Sequence, residues 1–199
     1  MTIDALLALC LFAFVTSITP GPGNLMLLAS GANFGLWRTL PQVAGITLGF
    51  TALLLAVGLG LGAALAAWPA LHIGLQVAGA AYLLRLAWRI GRSRSLGGDD
   101  GGGEARPLTV WQSAAFQWVN PKAWAVAATT MAVHASPQAP VASVLLICAA
   151  FAVVNLPSIL AWAGCGLALR RVLADPARLK WFNLAMAALL AATLWPMLA

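Results

Sequence analysis

The stretch Thr19-Pro20-Gly21-Pro22-Gly23-Asn24 lies inside an apolar run that otherwise reads as one membrane-spanning helix, from Ala5 to Ala32. Each proline removes a backbone donor and clashes with the carbonyl four residues back. Each glycine adds backbone freedom. Pro20, Gly21, Pro22 and Gly23 therefore cannot continue a helix. In lipid, the amides and carbonyls freed by such a break must find partners within the protein. Broken helices are kept where they face protein or a water-lined cavity, and carriers bind their cargo in such cavities. A second break, Asn120-Pro121-Lys122, interrupts another apolar run about a hundred residues later. Interrupted helices in matching places of two halves are the best sequence pointer to a transport site.

Composition supports a membrane class. Of the 199 residues, 62% are hydrophobic and only 8% charged, against about 25% charged in a soluble domain. The net charge of +6 is not a nucleic-acid signal, because no basic run is interleaved with aromatics. Basic residues of membrane proteins collect in cytoplasmic loops. Cys10, Cys148 and Cys165 lie in apolar stretches with no metal spacing and read as packing residues. The apolar N-terminal run is preceded only by Asp4, without the basic region of a cleavable signal, so it reads as a retained span.

Six apolar runs of about twenty residues account for almost the whole chain. They cover about Ala5–Ala32, Pro41–Ala67, Ala70–Ile90, Val110–Val133, Val141–Leu169 and Trp181–Leu198. The predicted class is an all-α membrane protein of six transmembrane helices, arranged as two inverted three-helix repeats. The first helix of each repeat is broken at a proline motif. Repeat one covers 1–92, a polar Gly-rich linker covers 93–108, and repeat two covers 109–199. Three spans per half invert the second half relative to the first, which brings the two breaks together near the midplane. Ten of the eleven basic residues fall on one face, at Arg38, Arg85, Arg89, Arg92, Arg94, Arg106, Arg170, Arg171, Arg178 and Lys180. The positive-inside rule makes that face cytoplasmic and both termini periplasmic. In the second span Gly45 with Gly49, and Gly58 with Gly62, form small-residue faces suited to close helix packing.

The eleventh basic residue, Lys122, lies beside the second break, with no acidic residue in any span to pair with it. An intramembrane ionisable residue is a functional hypothesis by default; the bland alternative is that it snorkels to an interface. A buried unpaired ammonium is costly. Lys122 is therefore either neutral at rest or paired with a substrate anion. Asn24 and Asn120 offer amides that either cap the resumed half-helices and repair the breaks or contact a ligand. Thr19 offers a hydroxyl for either role. Gln117 and Asn155 read as interhelical glue, His134 as a loop residue, and Trp118 and Trp124 as flanks of the second break. The glycines Gly21 and Gly23 let backbone amides approach a ligand, and half-helix N-termini attract anions. The predicted substrate site is therefore Thr19, Gly21, Gly23, Asn24, Asn120 and Lys122, with Pro20, Pro22 and Pro121 as the structural breaks. No catalytic constellation, metal site, cofactor motif or phosphate-binding loop is present, so the chain reads as a non-enzyme driven by a gradient.

Four features together resemble the lysine exporter (LysE/RhtB) family of amino-acid efflux transporters. They are Thr19-Pro20-Gly21-Pro22, the small-residue spacing of Gly31, Gly35, Gly45 and Gly49, the Gly79-Ala80-Ala81-Tyr82-Leu83 segment, and Asn120-Pro121-Lys122 after Phe116 and Gln117. One departure is Gly23, inserted where the family often has Asn directly after the second proline. The resemblance implies a secondary transporter in the bacterial inner membrane that exports amino acids or small derivatives in antiport with protons. Its partners are then a small-molecule substrate, protons and the lipid bilayer, with no nucleic acid; a homodimer stays open. Related thiol-disulfide carriers place a cysteine beside each proline break, and none stands near Pro20 or Pro121 here. The rivals are an efflux carrier for another small solute or cation with the same architecture, and a non-transporting membrane scaffold.

Overall fold

The computed structural model describes residues 2–93, Leu96 and residues 106–195; most of the predicted linker, 93–108, lies outside the described residues. Among them the chain is helical and contains no strand. In order, the helices are α1 (Ile3–Ile18), α2 (Pro22–Phe34), α3 (Leu36–Ala56), α4 (Gly62–Ala67), α5 (Pro69–Arg92), α6 (Val110–Val119), α7 (Pro121–His134), α8 (Pro140–Leu169) and α9 (Pro176–Ala192).

Start signals in the sequence explain most boundaries. Proline is the first residue of α2, α5, α7, α8 and α9, where its fixed φ suits a helix and its missing N–H costs nothing. Thr109 and Gln112 form a reciprocal capping box on α6. The Asp175 carboxylate accepts from the Arg178 amide, which starts α9 five residues before the predicted Trp181. Two expectations are corrected at the second span. Its helix begins at Leu36 and carries Pro41 inside it. It is also interrupted over Val57–Leu61, where Gly60 takes φ +108°, a conformation open to glycine and strained for other residues.

Two helical stretches, Leu36–Ala64 and Pro140–Leu169, are long and apolar enough to cross a membrane. The pair α1–α2, bent by 56° at its break, makes a third when taken as one span. The other three predicted spans have shorter or more polar helices. α6 and α7 have 10 and 14 residues, separated at Asn120. α9 has 17 residues, with Arg178 and Lys180 in its opening turns. α5 carries Arg85, Arg89 and Arg92. Large apolar side chains stand exposed on α1, α5 and α8, among them Leu11, Val77 and Val153. A surface of that kind needs lipid or protein against it.

The tightest seams are built on missing side chains. A Cβ on Gly31 of α2 would stand 2.1 Å from the Ala163 carbonyl oxygen of α8, and one on Gly166 would stand 2.1 Å from the Leu28 carbonyl oxygen. On the other side α3 lies against α6, where Gly45 faces the Val110 backbone and Gly49 the Ala114 backbone. That is the predicted packing role of Gly45 and Gly49. Gly58 abuts Val144, whereas Gly62 meets only Val57 from its own segment, so the second glycine pair forms no matching seam. Two apolar cores flank the centre. One joins Leu9, Leu53, Leu54, Ala127, Ile147 and Phe151; the other joins Met26, Leu83, Leu86, Phe116 and Leu190. The two proline breaks lie between them.

Candidate functional site

At the first break α1 ends on Thr19 and α2 starts at Pro22, with extended Gly21 as its N-cap. Asn24 is therefore the third residue of α2 and not its cap, because Pro22 already suits the first helical position. Its side chain reaches back across the break, and Nδ2 donates to the carbonyls of Ser17 at 2.8 Å and Thr19 at 2.9 Å. Trp162 of α8 donates Nε1–H to the Ile18 carbonyl at 3.0 Å. The Thr19 hydroxyl turns back to the Val15 carbonyl. Every carbonyl from Ser17 to Thr19 thus has a donor, as an apolar environment requires.

The second break is repaired differently. Asn120 caps α7, and its Oδ1 accepts from the Lys122 amide at 3.2 Å. Trp124 donates Nε1–H to the Trp118 carbonyl at 2.8 Å, with the two indoles edge to face. These tryptophans mend the backbone and do not line the central cavity.

Between the breaks lies a cavity of about 60 Å³, room for a few ordered waters. Gly21, Gly23, Asn24, Asn120 and Lys122 all line it. Lys122 is the one ionisable residue on its wall among the described residues. Its stem packs on Gly21, where a Cβ would stand 2.6 Å from Cδ. Its Nζ donates to the Thr19 carbonyl at 2.5 Å, joining the second break to the first. This contact is open to solvent, at the edge of the break. Thr19 itself is absent from the wall and meets the site only as the acceptor of Lys122.

Several wall residues were not among the predicted site. Thr16 and Ser17 come from the last turn of α1, Ile46 and Phe50 from α3, and Gln117 from α6. Phe151, Asn155 and Ile159 come from α8 and Val126 from α7. Phe50 and Phe151 pack edge to face at 5.6 Å. The four-residue spacing of Ile46 with Phe50, and of Phe151 with Asn155 and Ile159, marks one face of each helix. That spacing groups them on a face but does not mark the face as a cavity wall.

Electrostatics at the cavity are set by the half-helix starts. The amides of Gly23 and Asn24 in α2, and of Ala123 in α7, precede the first acceptors that their own helices supply. All three residues line the cavity. Two positive helix ends and the Lys122 amine thus meet at one largely apolar cavity, an arrangement suited to a carboxylate. Phe50, Phe151, Ile159 and Val126 supply an apolar side for the rest of a small ligand.

A broken-helix membrane protein with its polar groups gathered at the breaks is a carrier by construction. The chain belongs to the LysE type translocator family, whose model matches residues 14–193, and it is a transporter and not an enzyme. It is 34% identical over 139 residues to the cysteine/O-acetylserine efflux protein of Escherichia coli (strain K12), covering 69% of each chain. The proteins of the same name from Shigella sonnei (strain Ss046) and Shigella flexneri match with the same identity and coverage. No solved structure matches.

Proposed function

We propose that this chain is a secondary transporter that exports small neutral amino acids or their derivatives across the bacterial inner membrane by proton-coupled antiport. The observation that carries the reading is the Lys122 Nζ bond to the Thr19 carbonyl, which ties both broken helices into one cavity. The family and the efflux relatives support amino-acid export. The substrate carboxylate takes the place of the Thr19 carbonyl at Lys122 and meets the amides of Gly23, Asn24 and Ala123. The released Thr19 carbonyl and the Asn24 Oδ1 then accept from the substrate ammonium. Asn120 holds Lys122 in register by capping α7. Pro20, Pro22 and Pro121 keep the helices from closing over the site.

No carboxylate lines the cavity among the described residues, so a cationic side chain finds no counter-charge there. This favours cargo of the cysteine or O-acetylserine kind over lysine. Lys122 is also the group on the wall able to hold a proton, which makes it the coupling residue of the cycle.

The proposed frame is six spans in two inverted repeats, with both termini periplasmic. Part of the packing supports the repeats, and the basic face supports the orientation. A two-fold axis exchanging the halves maps α3–α8 and α5–α9 onto themselves and α1–α8 onto α6–α3, and all of these pairs are in contact.

Uptake into inverted membrane vesicles tests the reading. An inside-acid gradient is expected to drive accumulation of labelled L-cysteine (kept reduced) and O-acetyl-L-serine, but not of L-lysine, and a protonophore is expected to abolish it. Accumulation that survives protonophore yet stops on ATP depletion contradicts the mechanism. Failure of every amino acid to move favours the rival carrier for another solute.

A further inference from the structure

A second cavity, of about 100 Å³, lies on the other side of α2. Its wall includes Ser30 and Asn33 of α2, Gln42 of α3, Leu86 and Arg89 of α5, and Arg106. Asn33 is 6% exposed and Gln42 1%. The Asn33 Nδ2 is committed to the Ala29 carbonyl at 2.8 Å and to Asn183 Oδ1 at 3.3 Å, which fixes the amide's orientation. Its Oδ1 and the Gln42 Oε1 are then buried oxygens with no donor among the described residues. An unsatisfied buried acceptor is costly, so two on one cavity wall are places for an external donor. The wall also carries Arg89, an exposed residue in the closing turns of α5. Two orphan acceptors on one small cavity, with an arginine among its lining residues, match the two ends of a zwitterion. The same helix, α2, lines the central cavity with Gly23 and Asn24 and this one with Ser30 and Asn33.

We propose that this cavity is a second amino-acid site, one that holds the substrate on the cytoplasmic side before it reaches the central site. Asn33 Oδ1 and Gln42 Oε1 accept from the α-ammonium, and Arg89 pairs with the carboxylate. The assignment rests on the export reading and on the basic end of α5 facing the cytoplasm. It is distinct from the Lys122 site in residues and in its effect on transport. Loss of the central site stops turnover, whereas loss of the approach site weakens capture from one side.

The test uses the full chain and reduced, labelled L-cysteine. In detergent the wild-type protein is expected to bind two equivalents per chain. Lys122→Gln, which leaves the second cavity intact, is expected to retain one, and Lys122→Gln with Gln42→Met none. Methionine matches glutamine in shape but offers no strong acceptor. In inverted vesicles Gln42→Met is expected to raise the half-saturating cysteine concentration about tenfold or more, the effect of losing a hydrogen bond to a charged group, with the maximal rate kept within about twofold. Gln42→Glu keeps an acceptor at the same place and is expected to retain binding. Single-site stoichiometry in wild type, or Gln42→Met kinetics identical to wild type while Lys122→Gln is inactive, overturns the second site alone and leaves the cavity to water. Absence of any amino-acid transport by wild type overturns the export reading and this site with it.

Discussion

Asn24 and Trp162 show how single side chains make a broken helix tolerable in an apolar environment. Between them they supply three donors to the Ser17, Ile18 and Thr19 carbonyls. Trp162→Phe keeps an aromatic ring but removes the N–H and part of the indole's packed surface. It is expected to lower stability by about 1 kcal/mol, or a melting temperature about 2–4 °C lower for a chain of this size, with substrate selectivity unchanged. Asn24→Leu strips two donors at once and is expected to cost about 1–3 kcal/mol. Thermal unfolding in detergent measures both; equal stability of wild type and both variants would mean that water mends the break. The two breaks were legible in the sequence because other breakers or caps stand beside the prolines, Gly21 and Gly23 at the first and Asn120 at the second. Proline alone makes no such break at Pro41 or Pro157, which lie inside α3 and α8. The repair of the two breaks was not legible. Trp162 and Ile18 are 144 residues apart, and no local pattern pairs them. Asn24 read as a cap because capping is the commonest use of an Asn near a helix start; Pro22 had already taken the helix start.

At the scale of elements, the contacts that place the site are backbone-to-backbone. α2 lies on α8 through Gly31 and Gly166, and α3 on α6 through Gly45 and Gly49. Gly31→Ala forces a methyl against the Ala163 carbonyl oxygen, a backbone atom that cannot swing away. It is expected to cost at least about 1–3 kcal/mol and to lower the yield of folded protein in the membrane. Gly74→Ala on α5 meets nothing within 4 Å and is expected to be neutral or stabilising by up to about 1 kcal/mol through helix propensity. Comparing the two by fluorescence-detected size exclusion separates a packing seam from a general intolerance of change. Equal behaviour would remove the seam from the account. The packing role of Gly45 and Gly49 was readable from their spacing. The helix interruption at Gly60 was not, because Gly58, Gly60 and Gly62 alternate in one apolar run and nothing local says which of them takes φ +108°. Wall residues such as Phe50 and Phe151 were also hidden. In an apolar run all faces look alike, so periodicity does not say which face meets the cavity.

For the whole molecule, the proposed orientation rests on ten basic residues on one predicted face and none on the other. A C-terminal alkaline phosphatase fusion is expected to be active and a C-terminal green fluorescent fusion dark; the reverse pattern would invert the membrane orientation. The central claim is that the two broken helices form one transport site, joined by Lys122. The most direct test is export by Lys122→Gln, after confirming wild-type levels of protein in the membrane. Gln keeps most of the stem that packs on Gly21 but carries no charge and no exchangeable proton. The account predicts that proton-driven transport of L-cysteine and O-acetyl-L-serine is abolished or slowed at least about a hundredfold, as when a charged group acting in a low-dielectric site is removed. Wild-type export with unchanged dependence on pH would reduce Lys122 to a structural tie between α1 and α7 and contradict the account.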